Sequence, residues 1–148
     1  MSLTGEYDPS PSAWVRDQVE AYERSGGRQA NTLLDTGLPV IILTTRGNKS
    51  GKLRKTPLMR VEHGGDYVLV ASLGGAPKHP VWYYNLKADP LALTIQDGPE
   101  PLDFEVRELS GDERSTWWDR AVAAYPAYAD YEQKTERQIP VFLATRRS

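Results

Sequence analysis

The sequence contains no cysteine and only two histidines among 148 residues. Disulfides, cysteine-ligated zinc, iron–sulfur clusters and thiol nucleophiles are therefore excluded, and we predict no metal site. The longest apolar run, residues 38–43, has the length of a strand, so no membrane-spanning helix is expected. The first residues also lack the basic and apolar regions of a secretory signal, which predicts a cytoplasmic protein.

Acidic residues are missing from one long window, residues 36–61. Six basic residues give this window a charge of +6 and leave −8 for the rest of a chain whose total is −2: Arg46, Lys49, Lys52, Arg54, Lys55 and Arg60. A compact cationic patch on an acidic protein attracts small anions locally, while the surrounding field repels long polyanions. The basic stretch also lacks aromatic residues for base stacking, so we predict no nucleic-acid partner.

The length of the chain and its 39% hydrophobic residues suit a single globular domain. We predict an N-terminal helix and connector over residues 1–38, packed on a barrel-like domain over residues 39–148. Periodicity and turn signals predict strands at 39–45, 54–63, 67–72, 91–96, 102–109 and 139–145, and helices at 12–24, from 80, from 110 and from 127. Ser110 and Glu113 have the spacing of a capping box. Six mainly antiparallel strands with peripheral helices predict an α+β fold.

The basic loop contains two glycines, but it does not match a nucleotide-binding P-loop. Gly47 and Gly51 are separated by three residues instead of four, and neither serine nor threonine follows the lysine after the second glycine. A glycine-flexible loop remains, in which backbone N–H groups, Lys49 and Arg54 converge on a phosphate or carboxylate. A solvated hairpin tip with scattered basic residues is the alternative.

Two further segments combine glycines or aromatic residues in an unusual way. In SLGGAPKHPVWYYNL, residues 72–86, adjacent glycines permit a close approach to a flat ligand; the aromatic residues that follow can also be ordinary packing. Tyr125, Tyr128 and Tyr131 are spaced to share one side of a helical turn and to donate hydrogen bonds to an acceptor. They can equally be an aromatic stripe over the mouth of the barrel.

Motifs for hydrolytic catalysis are missing, since the chain has neither G-x-S-x-G nor H-E-x-x-H. If the protein is an enzyme, a bound organic cofactor supplies its chemistry. The segments TRGNKSG, GGAPKHPVWYYNL and YPAYADY, in this order, resemble the deazaflavin-dependent nitroreductase family over about residues 39–143. These are split β-barrel oxidoreductases that use the 8-hydroxy-5-deazaflavin coenzyme F-420.

The resemblance implies a flat redox ring joined through ribityl and phosphate to an anionic lactyl–oligoglutamate tail. It implies hydride transfer from C5 of the reduced ring to a quinone, with nitroaromatics or activated enones as further acceptors. Ser72, Tyr125, Tyr128 and Tyr131 are implied as the catalytic set. The implied cofactor contacts are Asn48, Lys49, Ser50, Gly51, Lys52, Leu53, Arg54, Lys55, Thr56, Pro57, Leu58, Val70, Ala71, Ser72, Leu73, Gly74, Gly75, Ala76, Lys78, Val81, Trp82, Tyr83, Tyr84 and Asn85.

Two alternatives to this function remain open from the sequence. A related split-barrel protein that binds FMN would need the same basic phosphate contacts, and a non-catalytic module would bind the cofactor without turning it over. In every case the expected partner is a small molecule, and the protein is a monomer or homodimer. The charged face of the first helix predicts at most weak peripheral contact with the inner face of the cell membrane.

Overall fold

A seven-stranded antiparallel sheet organises the part of the chain that the computed structural model describes, residues 3–33 and 36–147. Parts of the predicted 1–38 segment, and residue 148, lie outside it. The strands are β1 (Val40–Arg46), β2 (Leu53–Met59), β3 (Glu62–His63), β4 (Asp66–Val70), β5 (Leu93–Gln96), β6 (Pro101–Glu108) and β7 (Val141–Arg146). The helices are α1 (Ala13–Ser25), α2 (Val81–Ala88), α3 (Gly111–Ala124) and α4 (Ala127–Lys134), with a 3-10 turn at Leu73–Gly75.

The order of strands in the sheet is β2-β1-β5-β6-β7-β4-β3, and neighbouring strands are antiparallel. The sheet is curled, which confirms the predicted α+β, split-barrel architecture. No helix among the described residues is long and apolar enough to cross a membrane. In the same part of the chain, no group of three or more His, Cys, Asp or Glu side chains is placed to hold a metal ion.

The core lies on both faces of strand β1, as its unbroken apolar sequence predicts. Val40 and Ile42 pack on one face with side chains of α1, α3 and α4, while Ile41 and Leu43 pack on the other with α2. All four side chains are at most 2% exposed. Burial of each such side chain contributes about 1.5–3 kcal/mol, so this strand is a rigid base for the loop that follows it.

The single strand predicted over residues 54–63 is wrong, because the structure has two strands there. Strand β2 ends at Met59 and β3 begins at Glu62. Between them the Arg60 N–H donates to the Pro39 carbonyl, and the Val68 N–H donates to the Val61 carbonyl, both at 3.0 Å. The chain therefore leaves its pairing with β1 and joins β4 at a corner that no glycine or proline marks in the sequence.

The predicted capping box at the start of α3 is also wrong. Ser110 occupies the cap position, but its side chain makes no capping hydrogen bond. The Glu113 carboxylate instead accepts two hydrogen bonds, at 2.8 and 2.6 Å, from the guanidinium of Arg107 at the end of β6. A bidentate pair with arginine is stronger than a bond to one backbone N–H. Glu113 therefore pairs with Arg107 and does not cap the helix.

Candidate active site

A groove made of three adjoining cavities of about 580, 220 and 260 Å³ runs along the sheet beside α2. Neighbouring cavities share lining residues: Arg54, Val81 and Asn85 between the first and second, and Thr56, Leu73, Pro80 and Trp82 between the second and third. The residues at the two ends of the groove differ in chemistry. Basic and polar side chains line the first cavity, and aromatic and aliphatic side chains line the third.

The first cavity lies against the basic loop that joins β1 to β2. The Gly47 N–H donates to the Lys52 carbonyl at 2.8 Å and the Gly51 N–H to the Gly47 carbonyl at 2.9 Å, which closes the loop as a tight turn. Lys49 and Arg54 both line the cavity. The structure therefore brings together the two cations that the sequence assigns to an anion.

Asn85 of α2 fixes the position of this loop. Its carboxamide oxygen accepts a hydrogen bond from the Asn48 backbone N–H, and its carboxamide nitrogen donates to the Thr45 hydroxyl, both at 3.0 Å. Asn85 is 2% exposed although it lines the first two cavities. Both polar ends of the side chain are in use, so Asn85 holds the loop that forms the cavity wall.

Carboxylates from the N-terminal part of the chain neutralise most of the basic loop. Lys52 pairs with Glu6 at 3.6 Å and Arg54 with Asp8 at 2.9 Å, and Lys55 pairs with a carboxylate of α1, Glu23. Most basic side chains of the window that lacks acidic residues therefore form ion pairs with carboxylates from other parts of the chain. Arg46 and Lys49 are the exceptions, since neither forms an ion pair with the described residues.

The third cavity is lined by all three predicted tyrosines. Tyr125 caps the end of α3, while Tyr128 and Tyr131 lie on α4. The hydroxyls of Tyr125 and Tyr131 share a hydrogen bond of 2.9 Å. Tyr128 is 4% exposed, and its hydroxyl has no hydrogen-bond partner in the described part of the chain. Its O–H is thus available to a molecule in the cavity.

Tyr125 and Tyr128 keep their protons at neutral pH. The hydrogen bond with Tyr131, together with burial, raises the pKa of Tyr125 to about 12. Burial also raises the pKa of Tyr128 above its ordinary value, and its two tyrosine neighbours add to the effect. A raised pKa favours the neutral phenol, so each hydroxyl stays a hydrogen-bond donor.

Arg137, which no sequence pattern predicted, holds the glycine-rich segment in place. Its guanidinium donates to the backbone carbonyls of Ala71, Ser72 and Ala76 at 3.2, 2.8 and 3.0 Å, and contacts His79 Nδ1 at 3.1 Å. Burial, and then the positive charge of Arg137, lower the pKa of His79. Arginine and its partners lie about sixty residues apart in sequence, and no local pattern signals the contact.

The groove includes most of the predicted site residues. Those that line it are Asn48, Lys49, Ser50, Arg54, Lys55, Thr56, Pro57, Leu58, Val70, Ser72, Leu73, Gly74, Val81, Trp82, Tyr84 and Asn85, besides the three tyrosines. Those that line none of its cavities are Gly51, Lys52, Leu53, Ala71, Gly75, Ala76, Lys78 and Tyr83. Lining residues outside the implied catalytic and cofactor-contact sets are Asp8, Ser10, Trp14, Leu33, Gly47, Met59 and Pro80.

Replacing Gly75 with alanine is expected to lower the free energy of unfolding by about 2–3 kcal/mol. Gly75 has a φ of +82°, and a Cβ there would lie 3.0 Å from the Tyr131 carbonyl oxygen and from Lys134 Cβ. Gly74 is a matched control, because its φ is +63° but an added Cβ would meet nothing within 4 Å. Gly74→Ala should cost only about 1 kcal/mol in urea unfolding. Equal losses would show that contact with α4 does not constrain the segment.

Comparison with known proteins identifies relatives over most of the chain. The model of the family described as F420H(2)-dependent quinone reductase matches residues 14–146. The F420H(2)-dependent quinone reductase Rv1261c of Mycobacterium tuberculosis is 35% identical over 112 residues, which cover 74% of each chain. The putative F420H(2)-dependent quinone reductase Rv3178 of the same organism is 35% identical over 72% of this chain and 88% of its own.

Two solved structures are also similar to this chain. One, described as the F420-H2 dependent reductase FDR-A, is 56% identical with a TM-score of 0.67 over 72% of this chain and 93% of its own. The other, described as a domain-swapped dimer, is 51% identical with a TM-score of 0.70 over 91% of this chain and 99% of its own. The family resemblance predicted from the basic, glycine-rich and tyrosine segments is confirmed, and the chain belongs to the F420H(2)-dependent quinone reductase family.

Proposed function

We propose that this protein is an oxidoreductase that transfers a hydride from reduced coenzyme F-420 to a quinone. The unbroken groove from Lys49 and Arg54 at one end to the three tyrosines at the other carries the proposal. A cofactor with an anionic tail and a flat ring has the same order of chemical groups. The residues present therefore fit the cofactor that the family name implies.

In this proposal the basic loop binds the phosphate and the glutamate tail. Lys49 and Arg54 provide the charge, because charge-assisted hydrogen bonds to phosphate are about twice as strong as neutral ones. Pro57, Leu58 and Val70 form an apolar wall in the third cavity, suited to a flat ring. When bound, the reduced deazaflavin supplies a hydride, and the quinone takes up this hydride and one proton to become a hydroquinone.

In this arrangement the tyrosine cluster binds the electron acceptor, the quinone. Its apolar surroundings exclude water, which strengthens any hydrogen bond made there. The hydroxyl of Tyr128, which has no partner among the described residues, donates to the quinone oxygen on which negative charge develops. Ser72, which lines the same cavity, is a second donor in this proposal. Solvent at the cavity mouth or a tyrosine delivers the proton. The nitro oxygen of a nitroaromatic or the carbonyl oxygen of an enone would accept hydrogen bonds from the same donors.

The homodimer is the assembly we propose, because a relative that is 51% identical is described as a domain-swapped dimer. Light scattering on the purified chain tests this independently of catalysis. A monomer at all concentrations would overturn the proposal for this chain.

The function is tested by anaerobic titration of the protein with coenzyme F-420, followed by mixing of the reduced complex with menadione. We expect stoichiometric binding and recovery of the absorption band of the oxidised deazaflavin after the quinone is added. Binding without recovery of the band would indicate a non-catalytic binding protein. Tight, stoichiometric FMN with no affinity for the deazaflavin would contradict the proposed cofactor.

Removal of the cations at the polar end of the groove should weaken cofactor binding. We expect Lys49→Ala to raise the Kd for coenzyme F-420 about tenfold, the loss of one charge-assisted hydrogen bond. Arg54→Ala should raise it further, because Asp8 then remains in the cavity without its partner. Lys87→Ala is the matched control, since it removes the same charge from an exposed pair with Glu108 at 3.2 Å. If both variants bind as tightly as the parent, the anion site is wrong.

A further inference from the structure

The segment before α1 runs along the edge of β2 and is fixed there by its backbone. The Leu53 N–H donates to the Glu6 carbonyl at 2.7 Å, and the Asp8 N–H donates to the Leu53 carbonyl at 2.9 Å. Tyr7 and Leu53 form a parallel bridge, and the ammonium group of Lys55 lies 5.0 Å from the centroid of the Tyr7 ring. Backbone pairing on both sides of Tyr7 therefore determines where the Asp8 side chain is placed.

That placement puts a carboxylate inside the cationic cavity. Asp8 lines the 580 Å³ cavity together with Lys49 and Arg54, and its Oδ2 accepts a hydrogen bond of 2.9 Å from an Arg54 terminal nitrogen. The Asp8 side chain is 41% exposed, and that of Arg54 is 33% exposed. The pair is open to solvent on the cavity side, so a second anion has access to it.

Asp8 differs from the other two carboxylates that pair with the basic loop. Glu6 and Glu23 bind Lys52 and Lys55, but neither carboxylate lines the groove. Only for Arg54, among these three cations, does the counter-ion lie in the cavity where the cofactor's anion is proposed to bind. An anion that binds Arg54 must displace Asp8 or share the guanidinium with it, and it is repelled by the carboxylate at close range.

We infer that Asp8 is an affinity-determining residue of the cofactor site, an internal counter-ion that competes with the anionic end of the cofactor for Arg54. The inference rests on the proposed function for the identity of the anion. Its consequence is weaker binding of the anionic cofactor. Because affinity differences among variants of one site lie mostly in the dissociation rate, Asp8 should speed release of the oxidised cofactor.

The test is Asp8→Asn, which keeps the size of the side chain and its acceptor oxygen but removes the charge. We expect a Kd for coenzyme F-420 about fivefold lower than in the parent, from loss of one partly exposed competing pair, with slower dissociation in stopped flow. The gain should shrink at high salt, because screening weakens the competition in the parent. Asp119→Asn is the matched control: it removes the same charge from an exposed position on α3 and should leave the Kd unchanged.

A second experiment titrates the protein with inorganic pyrophosphate alone. Binding is monitored by NMR of the backbone amides of the basic loop. Asp8→Asn should bind it more tightly than the parent, whichever redox group the protein uses. If neither form binds the deazaflavin but Asp8→Asn still binds pyrophosphate more tightly, the proposed function fails and the competition stands. An unchanged or higher Kd for both ligands in Asp8→Asn would overturn the inference, since it would make Asp8 a neutral or supporting residue.

Discussion

Replacement of Tyr128 with phenylalanine is expected to lower kcat for menadione about 100-fold while the Kd for the cofactor stays unchanged, because one donor to a developing oxyanion is lost. The side chain is 4% exposed, so its hydroxyl acts in a site with little water. Its two neighbours, Tyr125 and Tyr131, have ring centroids 5.0 and 6.2 Å away and hold the ring in place. The donor is therefore oriented before the acceptor arrives.

The variant should fold as well as the parent. Since the Tyr128 hydroxyl makes no hydrogen bond with the described residues, its removal leaves no protein group unsatisfied. We expect the free energy of unfolding to change by no more than about 0.5 kcal/mol. A loss of kcat in a protein of normal stability then reports on chemistry, and steady-state kinetics at saturating cofactor together with urea unfolding measure both quantities.

The other tyrosines are the controls for this assignment. Tyr131→Phe removes a hydroxyl that is already bonded to Tyr125, so it should reduce kcat less than Tyr128→Phe. Because the pKa of Tyr128 is raised, its hydroxyl stays protonated up to a pH above the ordinary pKa of tyrosine. Ionisation of this residue should therefore not lower kcat below about pH 10. If Tyr131→Phe loses more activity than Tyr128→Phe, the donor is Tyr131 instead.

The sequence predicted the parts of the fold whose signals are local. Strand β1 has an unbroken run of β-branched and aliphatic residues, and α1 ends at Gly26, which has the left-handed φ of +64°. Separate helices from 110 and from 127 were also predicted, and Pro126 lies between them in the structure. By contrast, the corner between β2 and β3 depends on a change of pairing partner from β1 to β4. Such a change is a tertiary event with no turn residue to announce it.

The same division applies to the groove. Lys49, Arg54 and the tyrosines were found because unusual residue types are concentrated in short segments. Asp8 and Arg137 were missed because each contacts the site from a distant part of the chain, Asp8 across 46 residues and Arg137 across 65 residues to Ser72. The window without acids made the basic loop look uncompensated, while two of its counter-ions, Glu6 and Asp8, were in fact placed by pairing of the N-terminal segment with β2.

Asn85 links the stability of the fold to the shape of the cofactor cavity, and Asn85→Leu should disturb both. Leucine has a similar volume but leaves the Asn48 N–H without its acceptor and the Thr45 hydroxyl without its donor. One buried and one part-buried bond between neutral groups are lost, so we expect the free energy of unfolding to fall by about 3 kcal/mol. The basic loop also loses its attachment to α2. The cofactor should then bind at least about tenfold more weakly, because binding must now order the loop.

Thr45→Val separates the two effects of the Asn85 substitution. It removes only the hydroxyl of Thr45, a residue that is 1% exposed. The bond between Asn85 and the Asn48 N–H is kept. We expect a smaller loss of stability, about 1–2 kcal/mol, and an unchanged Kd for the cofactor. Urea unfolding and cofactor titration of the two variants measure these quantities side by side. If Thr45→Val weakens cofactor binding as much as Asn85→Leu does, the cavity depends on the stability of the sheet and not on attachment of the loop to α2.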